Sequence, residues 1–175
     1  MPSMPDPRTT VAVHVPDEAA LGRLAAVLVA TLPPRAFVAL DGDLGAGKTT
    51  FVKAVAAASG IDPTGVVSPT FGLIHIHEGP QGRLVHADFY RLTAPDELRE
   101  TGWEDAIAGE PGRGCWVFVE WPGRISGLLP AGRIDVAITI DSETARTLEF
   151  SSDSADSAPL MQALAAWPEA SRARR

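Results

Sequence analysis

An α/β fold, a mainly parallel sheet with flanking helices and antiparallel additions, is what this 175-residue sequence predicts. Three observations point to it. Short β-branched or apolar runs alternate with stretches of helical periodicity, the pattern of strand–helix–strand units. A glycine-rich segment, "GDLGAGKTT" (42–50), joins one such run directly to a helical stretch. Two further apolar runs each end in a carboxylate, at Asp88 and at Glu120.

The elements follow in order. "TVAVHV" (10–15) alternates and is β-branched, so it predicts a strand. The stretch 16–34 opens with Pro16, Asp17 and Glu18 and closes at Pro33 and Pro34; Leu21, Leu24, Val27 and Leu28 recur at helical spacing inside it. "AFVAL" (36–40) is a short apolar strand, of the kind buried on both faces in a parallel sheet. A second helix runs from Lys48 to a C-cap at Gly60. After a loop over 61–70, the alternating "FGLIHIHE" (71–78), the turn 79–82 and "RLVHADF" (83–89) predict a hairpin. "APDELRETGW" (94–103) reads as a short helix and "CWVFVEW" (115–121) as an apolar strand. "RIDVAITI" and "RTLEFSS" predict a final antiparallel pair. We divide the chain into a loose arm (1–9), one domain (10–150), and a polar linker leading to a short, loosely docked tail (151–175) in which "LMQALAAW" (160–167) reads as a short helix.

The bulk composition narrows the function classes. At 45% apolar and 21% charged residues, one globular core is expected. The single cysteine, Cys115, allows no internal disulfide and lies in an apolar run, as expected of a buried, inert thiol in a reducing compartment. The first residues lack a secretory pattern, and no stretch reaches the roughly 20 apolar residues of a membrane span, so a soluble, cytoplasmic protein is expected. The net charge is −7, and apart from a short basic end, "SRARR" (171–175), no clustered basic face shows, which argues against direct, unaided binding of DNA or RNA.

Gly42, Gly47, Lys48 and Thr49 satisfy G-x-x-x-x-G-K-[ST] between a predicted strand and a predicted helix. A loop there aims backbone N–H groups into a concave nest at the positive end of a helix dipole, where polyphosphate is favoured. The expected fold is therefore P-loop NTPase-like. Lys48 would reach the β- and γ-phosphates and the Thr49 hydroxyl would ligate Mg²⁺. Magnesium also wants one or two carboxylates, and hydrolysis wants a group that orients water. Asp88 and Glu120 are the candidates, because ligands gather beyond the carboxyl ends of parallel strands; Asp43 and Glu104 are weaker ones. His75 and His86 read as core or edge histidines, since Mg²⁺ prefers oxygen.

Taken together, "GDLGAGKTT" (42–50), "SPTF" (68–71), "HADFYRL" (86–92), "ELRETGWED" (97–105) and "EWP" (120–122) resemble the TsaE-type ATPases of bacterial tRNA threonylcarbamoyladenosine (t6A) synthesis. The resemblance covers roughly residues 10 to 150. It implies that ATP phosphates are bound by Gly42, Asp43, Leu44, Gly45, Ala46, Gly47, Lys48, Thr49 and Thr50, and Mg²⁺ by Thr49 and Glu120. It also implies a role for Asp88 in hydrolysis, a switch-like loop with Ser68 and Thr70 near the γ-phosphate, and Trp121 beside the nucleotide. Partners implied are the TsaD–TsaB pair, with tRNA met only indirectly. His75 and His77 stand where many members have a tyrosine. The segment from Ser151 lies outside the shared pattern. A small-molecule kinase and a nucleotide-sensing module without hydrolysis are the alternative readings.

Overall fold

The computed structural model describes residues 8–69, 73–168 and 170–172. Thr70 and most of the arm 1–9 lie outside the described residues. The elements are β1 (Thr9–Val15), α1 (Glu18–Thr31), β2 (Arg35–Asp41), α2 (Lys48–Ala58), β3 (Ile74–Gly79), β4 (Gly82–Asp88), α3 (Trp103–Ala108), β5 (Cys115–Glu120), β6 (Ile134–Ile140), β7 (Arg146–Ser152), α4 (Ala158–Ala165) and β8 (Ala170–Arg172).

Local chemistry explains the main boundaries. Asp17 caps α1 by accepting from the Ala20 amide at 2.8 Å, and Pro33 and Pro34 forbid continuation beyond Leu32. The strands join one sheet in the order β3-β4-β5-β2-β6-β7-β1-β8. Its centre, β4-β5-β2-β6, is parallel. β3 pairs antiparallel on one side, and β7, β1 and β8 continue antiparallel on the other. Every residue of β5 is buried, as a central parallel strand between two covered faces requires.

The strand period of two divides the core between those faces. On one, Leu24 and Leu28 of α1, Phe51 and Val55 of α2, and Leu160 and Leu164 of α4 pack over Val38, Leu40, Phe118 and Phe150. On the other, Phe89, Leu92, Leu98 and Trp103 cover Val85, Ala87, Val117 and Val119. His86, Asp88 and Glu120 share strand parity with Leu84 and Phe118, so they face the α2 side. Their register also puts the ends of β4, β5 and β2 level, with Asp88 opposite Glu120 and Glu120 opposite Leu40.

The short helix expected over 94–103 is present as a 3₁₀ helix, Pro95–Thr101, and an α-helix, α3, follows after Gly102. One expectation needs correction. The segment after 151 was expected to be loosely held, yet Ser151 and Ser152 belong to β7, and Leu160, Met161 and Leu164 of α4 are buried in the main core. β8 then pairs with β1. The serine-rich composition reflects local bonding instead of solvation: Ser152 Oγ donates to Arg133 O, and Ser154 Oγ accepts from the Asp156 amide. Cys115 is buried, and burial raises its thiol pKa, in keeping with an inert side chain.

Candidate functional site

The site is built at the carboxyl end of β2. Asp41 Oδ1 accepts from the Gly42 amide at 2.9 Å, and the chain then loops through 42–47 into α2. At Gly42, φ is +154°, and a Cβ there would lie 2.7 Å from the carbonyl oxygen of Ile138 on β6. Gly47, at φ 104°, stands at the N-cap of α2 without a side-chain cap. A helix start with no capping side chain leaves its amide hydrogens to meet an external acceptor.

Lys48 is 5% exposed. Its Nζ donates to Gly42 O at 2.6 Å and Asp43 O at 3.0 Å, and lies 4.2 Å from the centroid of the Trp121 ring. Burial lowers its pKa, with Glu120, Asp88, Asp41 and Asp43 pulling the other way. The Trp121 ring also leans on Tyr90, centroids 4.9 Å apart. Trp121 has φ 59° and ψ 52°, left-handed backbone that a bulky residue adopts only under constraint. That turn directs the chain away from the sheet immediately after Glu120.

Glu120 Oε1 accepts from Thr49 Oγ1 at 2.7 Å and lies 2.7 Å from His86 Nε2. One strand over, Asp88 Oδ2 accepts from Ser68 Oγ at 2.7 Å, while Oδ1 accepts from the Tyr90 amide at 2.9 Å. Asp88 thus ties the loop after α2 to the end of β4. Among the described residues, no group of three or more His, Cys, Asp and Glu side chains is placed to hold a metal ion. The oxygen pair of Thr49 and Glu120 nevertheless suits Mg²⁺, which keeps waters and needs few protein ligands beside phosphates.

Lys48, Thr49, Ser68, Asp88, Glu120 and Trp121, all singled out from the sequence, therefore gather in one place. Of the loop residues, Ala46 is buried, whereas Asp43 and Thr50 are exposed and Leu44 is 74% exposed. Glu104 does not join the cluster: it is exposed on α3, whose buried side covers the opposite face. His86 is buried, as expected of a core or edge histidine, and it adds a contact with Glu120 that the sequence does not announce; its i, i+2 spacing to Asp88 puts both on one face of β4.

A cavity of about 450 Å³ adjoins the loop, walled by Gly45, Gly47 and Thr50, the start of α1 with Asp17 and Leu21, and the β6–β7 hairpin. Arg146 lines it and fastens the hairpin to the loop, donating from Nε to Ala46 O at 2.9 Å. No sequence signal marks that residue, which lies a hundred positions from its acceptor.

The parallel strand ends, the glycine loop and the helix that begins with Lys48 and Thr49 define a P-loop NTPase-like fold. Comparison with known proteins narrows this. The family model described as "Threonylcarbamoyl adenosine biosynthesis protein TsaE" matches residues 15–148. A tRNA threonylcarbamoyladenosine biosynthesis protein TsaE of Rickettsia bellii (strain RML369-C) is 33% identical over 129 residues, covering 74% of this chain and 86% of that one. The protein of the same name from Bacillus subtilis (strain 168) is 34% identical over 127 residues, covering 73% and 76%. The crystal structure of Bacillus subtilis YdiB superposes with a TM-score of 0.67 at 25% identity, over 91% of this chain and 96% of that one. This chain belongs to the TsaE family.

Proposed function

We propose that the protein binds and hydrolyses ATP as the ATPase subunit of t6A modification at position 37 of tRNA, acting in the cytoplasm with a TsaD–TsaB complex. The family membership supports the pathway. The observation that carries the chemistry is the convergence of Lys48 and Thr49, at an uncapped helix start, with Asp88 and Glu120 at level strand ends. The amides of 42–50 and the Lys48 ammonium would hold the triphosphate, whose oxygens would replace Gly42 O and Asp43 O as the lysine's acceptors. Thr49 and Glu120 would hold Mg²⁺, which when bound would neutralise charge on the β- and γ-phosphates. The base and ribose would occupy the cavity beside Gly45 and Gly47. Asp88, fixed by Ser68 and the Tyr90 amide, would orient the attacking water near the γ-phosphate.

Both oxygens of Asp88 already accept hydrogen bonds. That favours one second reading, a nucleotide-sensing module whose hydrolysis is negligible. Phosphate release by the purified protein, measured with and without TsaD–TsaB, separates the two. The ATPase reading predicts turnover that rises with the partners and vanishes in Asp88→Ala. Nucleotide binding without release under both conditions would favour the sensor, and transfer of phosphate to an added acceptor would favour a kinase.

A further inference from the structure

We propose that His86 is a positioning residue for the metal site: its imidazole fixes the Glu120 carboxylate so that one oxygen stays committed to protein and the other faces the ion. This rests on the Mg²⁺–ATP reading above. The two side chains meet in a dry environment, with His86 fully buried, Glu120 4% exposed and 2.7 Å between Nε2 and Oε1. To bond a carboxylate oxygen, Nε2 must carry the hydrogen, which leaves Nδ1 as the ring's other polar atom. Nδ1 is buried and has no hydrogen-bond partner among the described residues. A buried nitrogen without a partner is a cost that an apolar side chain would avoid. The imidazole therefore contributes through Nε2 and not through general packing.

The geometry explains why Glu120 needs that second donor. Thr49 donates to the same Oε1, but its hydroxyl oxygen is also the group assigned to the metal. His86 holds Oε1 from the neighbouring strand, two residues before Asp88, and needs no contact with the ion. Oε2 is the oxygen committed to neither of these bonds. A carboxylate oriented in this way binds a cation more tightly than one free to rotate, because outer partners restrict the ligand before the ion arrives.

The test measures Mg²⁺ affinity separately from nucleotide affinity. A fluorescent ATP analogue is titrated into wild type, His86→Leu, His86→Gln and His86→Asn in EDTA, and Mg²⁺ is then titrated into each nucleotide-saturated protein. Loss of the donor in His86→Leu should weaken Mg²⁺ binding roughly tenfold or more while metal-free nucleotide affinity stays near wild type. Gln, whose amide nitrogen can stand in for Nε2, should recover most of the loss; Asn, one bond shorter, should not. Unchanged Mg²⁺ affinity in His86→Leu would overturn the assignment, as would a parallel fall in metal-free affinity, which marks a structural role. If His86→Leu does not fold, the Gln–Asn pair decides, and equal Mg²⁺ affinities in the two would overturn it. A wild-type protein that binds no Mg²⁺–nucleotide overturns the site reading itself, an outcome distinct from wild-type binding with indifferent variants.

Discussion

Lys48 sits between two demands. Burial disfavours its charge, while the face of Trp121, four nearby carboxylates and two loop carbonyls support it. With its pKa held below the ordinary lysine value, the ammonium is lost at a lower pH than an exposed lysine's. Bound polyphosphate favours the charged form and raises that pKa, so binding at a pH between the two values takes up protons. Calorimetry in buffers of different ionisation enthalpy should detect this uptake on the alkaline side; wild-type binding with no uptake at any pH would contradict it. Lys48→Ala should weaken nucleotide binding by about 10- to 150-fold in equilibrium titration, since a hydrogen bond to a charged group contributes about 1.5–3 kcal/mol. Asp88→Ala should behave differently, sparing nucleotide affinity in equilibrium titration while removing phosphate release.

At the scale of elements, the ends of β2, β4 and β5 must stay level for Lys48, Asp88 and Glu120 to meet. Their register depends on packing beneath the site. Phe51 of α2 lies edge-on to Phe118, with centroids 6.3 Å apart, and equally close to Phe150. Phe51→Ala should cost about 3–5 kcal/mol in chemical denaturation, a cavity penalty in a core that cannot collapse. A loss below about 1 kcal/mol would mean that α2 does not depend on this cluster.

The elements legible in the sequence were those with clear periodicity. Alternation marked β1, helical spacing marked α1, and an all-apolar run marked β5. The glycine pattern placed Lys48 and Thr49, and strand-end carboxylates placed Asp88 and Glu120. The short helix of the tail was legible as α4, but its docking was not, because its serine-rich approach resembles a solvated linker and only the fold shows that Leu160, Met161 and Leu164 meet a shared apolar surface. The Arg146–Ala46 bond was invisible because it closes across a hundred residues. His86 is the core histidine that its apolar strand implies, but its bond to Glu120 was not legible, because nothing in the chain's order says that β4 and β5 lie side by side in that register.

The whole molecule is acidic, and no helix among the described residues is long and apolar enough to cross a membrane. A net charge of −7 repels a phosphate backbone, so we expect the protein to reach tRNA through partner proteins. Gel-shift titration with tRNA should show no retention of the isolated protein at physiological salt. Retention appearing only with TsaD–TsaB would agree with this, and tight direct binding would not. The most direct test of the central claim is a crystal structure with a non-hydrolysable ATP analogue and Mg²⁺. It should show the phosphates wrapped by residues 42–50, Lys48 turned from its carbonyl acceptors to the phosphate oxygens, and the ion beside Thr49 and Glu120. Nucleotide bound at another surface, with that loop empty and Lys48 still on Gly42 O, would contradict it.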